Sequence, residues 1–137
     1  MDTPEWIEYQ AQFDLGPEYF QGITNDTRKM CVIIEPRCHP RLIIVIKNFM
    51  YLLQSKGWGL VIFHGNTNKE FLQEGLAGWP NVRYVDTKLD NMTALDYSNM
   101  LCEPPFWRVL LNMGCHHTLI FQIDTVLLKD TVDDFLE

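Results

Sequence analysis

The sequence predicts an α/β protein organised around a mostly parallel sheet, and three observations carry that prediction. Residues 30–35, 60–64 and 118–124 are short, nearly continuous apolar runs, as strands are when both faces of a sheet are covered, and residues 82–85 add a shorter one. The stretches between them carry helical apolar spacing and close on Gly or Pro. Each connection is long enough to cross over between parallel strands, which gives the order β-α-β-α-β-α-α-β, half of a doubly wound sheet.

Residues 1–29 form an acidic, aromatic arm ahead of the domain at 30–137, punctuated by Gly16-Pro17 and Gly22. Thr3 as N-cap, Pro4 at the first helical position and Glu5 in the first turn predict a short helix to about Gln12. Trp6, Tyr9 and Phe13 share one face of it and are expected to dock the arm on the domain.

Pro36 ends the first strand, and Pro40 opens a helix with a wide apolar face (Leu42, Ile43, Val45, Ile46, Phe49, Met50, Leu52, Leu53) that stops at Gly57. The second strand breaks at Gly65-Asn66. Thr67 and Glu70 then have capping-box spacing, and Gly78 with Pro80 closes that helix. After the third strand, residues 86–103 read as loop plus a short helix. Pro104-Pro105 introduces a helix over 106–113, with Trp107, Leu110 and Leu111 on one face and Gly114 at its end. The fourth strand is expected to end on the carboxylate of Asp124. Residues 133–137 look like the first turn of a further helix, and this architecture is expected to continue beyond it.

Composition narrows the function classes. The 137 residues are 47% hydrophobic and 21% charged, as in a globular domain, and the net charge of -7 with no Lys/Arg cluster counts against a nucleic-acid partner. No apolar run approaches the roughly 18–20 residues of a transmembrane helix. An acidic N-terminus without an apolar signal core points to a cytoplasmic protein. The four cysteines show no CxxC pair, so reduced thiols are expected, and the Cys38-His39 and Cys115-His116-His117 clusters match no common zinc spacing.

In a parallel sheet the strand ends and following loops line one edge, which places Glu35, Arg37, His64, Gly65, Asp86 and Asp124 together. Such an edge can read a ribose or base with Glu35, meet phosphate with Arg37 and anchor a divalent ion on Asp124. Neither GxGxxG nor GxxxxGK[ST] occurs, which counts against dinucleotide enzymes and P-loop NTPases. Each residue also has a purely structural reading. Arg37 can pair with Glu35, His64 can be a hydrogen-bonded strand terminus, Tyr97 and Asn99 can satisfy loop backbone, Trp107 can be core, and Gln122 can be a buried amide.

Glu35-Pro36-Arg37-Cys38-His39-Pro40, Gly57-Trp58 ahead of Phe63-His64-Gly65, Tyr97-Ser98-Asn99, Phe106-Trp107 and the run from Phe121 through Gln122, Ile123 and Asp124 to Leu128 follow one another in a familiar order. Over residues 30 to 137 the chain resembles a family of glycosyltransferase-like domains long catalogued as a domain of unknown function. E-x-R-x-H-P and F-Q-x-D are its most specific parts. The resemblance implies a GT-A-like nucleotide-binding half, a Rossmann-like three-layer α/β/α arrangement, that transfers a sugar from a nucleoside-diphosphate donor to a glycan or other hydroxyl acceptor. It implies Glu35 and Arg37 beside the nucleotide, His64 and Gly65 at the second strand end, and Gln122 and Asp124 in the place of a DxD motif. A divalent cation, manganese or magnesium, would then sit on Asp124. An amide at position 122 departs from that motif, since it cannot match a second carboxylate as a hard-cation ligand, and the alternative is an enzyme that dispenses with metal. The general base of such enzymes comes from the acceptor-binding half, so no catalytic base is assigned. The competing expectation is a non-catalytic nucleotide-binding or protein-interaction domain. Apolar surface left uncovered by a missing acceptor half would favour homo-oligomers.

Overall fold

In the computed structural model, which describes residues 4–136, four parallel strands form one sheet: β1 (Lys29–Glu35), β2 (Gly59–His64), β3 (Arg83–Asp86) and β4 (His117–Phe121), in the spatial order β3-β2-β1-β4. Five α-helices accompany them among the described residues: α1 (Glu5–Ala11), α2 (Leu42–Leu53), α3 (Lys69–Gly75), α4 (Ala94–Cys102) and α5 (Pro104–Asn112). The expected α/β class with a parallel sheet is therefore present. Every residue of β2 is buried, and so is every residue of β1 after Lys29, which explains why these strands show no polar alternation.

Alternate strand residues feed two separate apolar clusters. Cys31, Ile33, Leu60 and Ile62 join Leu42, Val45, Ile46, Phe49 and Leu53 of α2 and Leu72 of α3, whereas Met30, Val32, Ile34, Val61 and Phe63 join Phe106 and Leu110 of α5. Each fully buried aliphatic side chain contributes about 2 kcal/mol of transfer free energy. A 3-10 turn over Gln54–Lys56 then ends the α2 segment at Gly57, whose φ of +83° is the left-handed conformation that glycine adopts without penalty.

The arm is part of the core. Phe13, Phe20 and Ile23 are buried, and Phe20 stacks on Trp79 at 4.1 Å. Of the three aromatics expected to dock α1, Phe13 is buried, Tyr9 donates its hydroxyl to the Leu128 carbonyl at 3.1 Å, and Trp6 lies under the Arg41 guanidinium, 5.0 Å away. The expected Thr3 cap lies outside the described residues.

Three local expectations need correction. β4 ends at Phe121, before Asp124, because the Thr125 hydroxyl accepts from the Gln122 N–H (3.2 Å) and donates to the Gln122 carbonyl (2.6 Å), closing a turn that leaves the ladder. Thr67 and Glu70 form no capping box: α3 begins after Asn68 without a side-chain cap, because the Asn68 amide is engaged elsewhere. The capping box belongs to α4, where Thr93 and Asp96 exchange hydrogen bonds at 3.1 Å. On α5, Leu111 is 68% exposed and Trp107 is exposed too, its indole N–H donating to Leu101. The inward set is Phe106, Val109, Leu110 and Met113, an i, i+3, i+4, i+7 stripe packed in one cluster with Met30, Val32, Val61 and Phe63 of β1 and β2. Among the described residues no helix is long and apolar enough to cross a membrane.

Candidate functional site

The strand order reverses direction between β1 and β4. From β1 the chain steps outward through β2 to β3, then returns through α4 and α5 to pair β4 with the other side of β1. The loops leaving the carboxyl ends of β1 and β4 therefore diverge, and open α/β sheets bind ligands in the crevice that results. Here that crevice is a cleft of about 390 Å³, lined by Glu35, Pro36 and Arg37 after β1, by Gln122, Ile123 and Asp124 after β4, and by Thr93, Ala94, Tyr97 and Ser98 at the start of α4.

Glu35 and Arg37 form one unit. The Glu35 carboxylate, 6% exposed, accepts from Arg37 Nε at 3.0 Å, from Nη2 at 2.9 Å and from the Arg37 backbone N–H at 3.2 Å. The Arg37 side chain remains 49% exposed, and hydrogen bonding to Glu35 holds its guanidinium above its already high range. A bidentate carboxylate fixes the plane of the guanidinium, and Arg37 is among the residues that line the cleft. Both oxygens of Glu35 are thus engaged by Arg37.

Asn68 holds this loop in place. Fully buried, it donates to the carbonyls of Glu35 (2.6 Å) and Arg37 (2.9 Å) and accepts from the Gly65 N–H (2.8 Å), tying the end of β1 to the end of β2. Sequence reasoning missed it. The available signal was an asparagine directly before a helical pattern, a position where such a side chain is expected to serve backbone groups.

The post-β4 side is fastened in the same manner. Asn48 of α2 exchanges two hydrogen bonds with Leu127, donating to its carbonyl (2.9 Å) and accepting from its N–H (2.8 Å). Gln10 of α1 donates to the Thr125 carbonyl and to the Asn48 amide oxygen, both at 3.0 Å, and Arg41 donates to Gln10 Oε1. Gln10 and Asn48 are both fully buried, so the N-terminal arm contributes directly to the rigidity of the segment that follows Asp124.

The remaining sequence-derived residues divide. Gln122 and Asp124 are exposed in the cleft wall, and among the described residues neither side chain makes a hydrogen bond or ion pair; Gln122 is not a buried amide. Tyr97 is half-buried along the cleft, and its hydroxyl is shielded with no partner among the described residues. His64 and Gly65 do not join them. His64 is 2% exposed, with Nδ1 against the Gly65 carbonyl at 2.8 Å. Gly65 sits where three loops touch: a Cβ there would lie 2.3 Å from the Leu89 carbonyl and 2.5 Å from that of Pro36. Asp86 accepts from the Lys88 N–H at 2.7 Å and, with Asn99, borders a separate, more apolar cavity of about 460 Å³ between β3 and α4–α5.

The donor set for a divalent cation is thin. Among the described residues no three His, Cys, Asp or Glu side chains are grouped as metal ligands. In the cleft, Glu35 is taken up by Arg37, which among the described residues leaves Asp124 as the one free carboxylate and Gln122 as a neutral oxygen. Magnesium and manganese fill most of their octahedral positions with water and substrate phosphate, so the cleft would contribute Asp124, with Gln122 beside it. Compared with protein-family models, with curated proteins and with solved structures, the chain finds no match.

Proposed function

We propose that this chain is the nucleotide-sugar-binding part of a three-layer, GT-A-like glycosyltransferase domain. The observation that carries the reading is the cleft at the reversal of strand order, which joins the arginine-bearing loop after β1 to the acid-bearing turn after β4. A nucleoside diphosphate presents two chemistries, anionic phosphate and neutral hydroxyls, and Arg37 and Asp124 are complementary to one each. In transfer, an acceptor hydroxyl attacks the anomeric carbon of the sugar. The bond from that carbon to the diphosphate oxygen breaks, and the departing diphosphate keeps the electron pair and is stabilised by Arg37. The hydroxyl proton leaves to a base that we do not assign to any residue of this chain. The unpaired cysteines fit a reducing, cytoplasmic setting.

Thermal unfolding with UDP-, GDP- and dTDP-sugars tests the reading. A ligand at 100 times its Kd adds about 2.7 kcal/mol to stability, a rise on the order of 10 °C for a domain of this size. No shift with any of them overturns it. Binding without transfer is the second reading, and it is favoured by the engagement of Glu35 with Arg37, which leaves Asp124 as the one free carboxylate of the cleft among the described residues. Release of free nucleoside diphosphate in the presence of acceptor separates the two.

A further inference from the structure

Resting on that donor-site reading, we propose that the cleft binds its nucleoside diphosphate without a divalent cation, with Arg37 as the donor to the diphosphate oxygens, Glu35 as the residue that positions it, and Asp124 as an acceptor for ligand hydroxyls. Three features of the cleft lead there. The first is the ligand count: both oxygens of Glu35 receive N–H groups of Arg37, so a cation bridging a diphosphate would have Asp124 as its one carboxylate in the cleft among the described residues, the low end of the one or two that such ions use with water and phosphate.

The second is charge. Arg37 already places a permanent positive charge in this cleft, and it is the one cationic side chain lining it among the described residues. Glu35 balances that charge, so the guanidinium meets a diphosphate through its remaining N–H donors rather than through a surplus of charge. The third is pre-organisation. Glu35 is 6% exposed and carries a charge that burial would penalise without a partner, so Arg37 cannot leave it cheaply. With Nε and one Nη2 hydrogen on Glu35, the Nη1 pair and the other Nη2 hydrogen remain for phosphate oxygens, in the planar geometry that suits them. Asp124, exposed and without a partner among the described residues, is then left to accept from ribose or sugar hydroxyls, for which an ionised carboxylate is a good acceptor.

The test is calorimetric titration of the 137-residue chain with UDP, GDP and dTDP and their sugars, once in excess EDTA and once in excess manganese or magnesium. The expected result is binding of the same affinity in both buffers. Arg37→Lys, which loses the planar fork, should weaken it ~10-fold in either buffer. Arg37→Gln alone strands a buried carboxylate, so the double variant Glu35→Gln/Arg37→Gln is the companion: it should unfold cooperatively yet bind no nucleotide, with manganese failing to restore binding. Asp124→Asn should weaken binding of the nucleoside diphosphates equally with and without metal. Binding that requires manganese and disappears in EDTA overturns the inference while leaving the donor site standing. So does an Asp124→Asn variant that loses only a metal-dependent component. Absence of binding in both buffers overturns the donor-site reading itself.

Discussion

Replacing Asn68 tests the physical basis of the cleft most sharply, because one fully buried amide joins two strand ends. Asn68→Ala removes three hydrogen bonds, two to the carbonyls of Glu35 and Arg37 and one from the Gly65 N–H, and strands their partners away from water. At about 1 kcal/mol for each, the loss is about 3 kcal/mol, or a fall in Tm on the order of 10 °C. Asn68→Asp is the informative companion. It is nearly isosteric and keeps the acceptor for Gly65, but it turns the donor end toward two carbonyl oxygens as a further, negatively charged oxygen. It should therefore destabilise at least as much as alanine, by about 3 kcal/mol or more. Urea unfolding followed by tryptophan fluorescence and circular dichroism reads both, with equal m-values indicating a common unfolded state. An Asn68→Asp protein within about 0.5 kcal/mol of the parent would refute the reasoning, since a surface-like response means the amide does not make these contacts.

Other outcomes follow from single contacts. Gly65→Ala should cost about 3 kcal/mol, because its Cβ meets backbone carbonyls at 2.3 and 2.5 Å, whereas Gly16→Ala meets only the mobile Glu18 carboxylate and should fall within about 0.5 kcal/mol of the parent; urea midpoints compare them. Stability should fall in acid through two carboxylates. Hydrogen bonds from Arg28 hold Asp26 down at about 2, and at Asp133 burial, which alone would raise the pKa, is outweighed by hydrogen bonds from Lys29 and Trp58. Both folded pKa values lie below the unfolded one, so the unfolded chain binds more protons in that window; their stabilisation is present above about pH 4 and is lost toward pH 2. The difference in urea midpoint between the parent and Asp133→Asn should shrink correspondingly as pH falls, and a constant difference contradicts this. A thiol reagent should label Cys38 and Cys102 in the native protein while sparing buried Cys31, whose thiol is pushed up by burial, and buried Cys115; rapid labelling of all four would show an open core.

Much of the fold was legible because apolar periodicity reports burial directly. The runs at 30–35 and 60–64 are strands buried on both faces, and Gly57 marks a helix end because only a left-handed residue turns the chain there. Helix faces and strand ends were less legible where side chains compete for the same backbone. The reach of the fourth strand to Asp124 was overestimated because Thr125, three residues after Gln122, closes a turn that apolar content does not signal. The face of α5 was misassigned because Leu111 is apolar yet exposed, and only the packing of Phe106 against Phe63 decides the rotation. In the cleft, placement of Glu35, Arg37, Gln122 and Asp124 on one edge follows from strand ends alone. The engagement of Glu35 by Arg37 could be named but not decided from sequence, and the supports Asn68, Asn48 and Gln10 act through contacts between residues as much as 115 positions apart, which no local pattern encodes.

The most direct measurement is amide chemical-shift mapping of the isotopically labelled chain titrated with a nucleoside diphosphate. The shifts should concentrate at residues 35–37, 93–98 and 122–124, the three segments that line the cleft between β1 and β4. Shifts concentrated around Asp86 and Asn99 in the neighbouring cavity, or none at saturating nucleotide, would contradict the account.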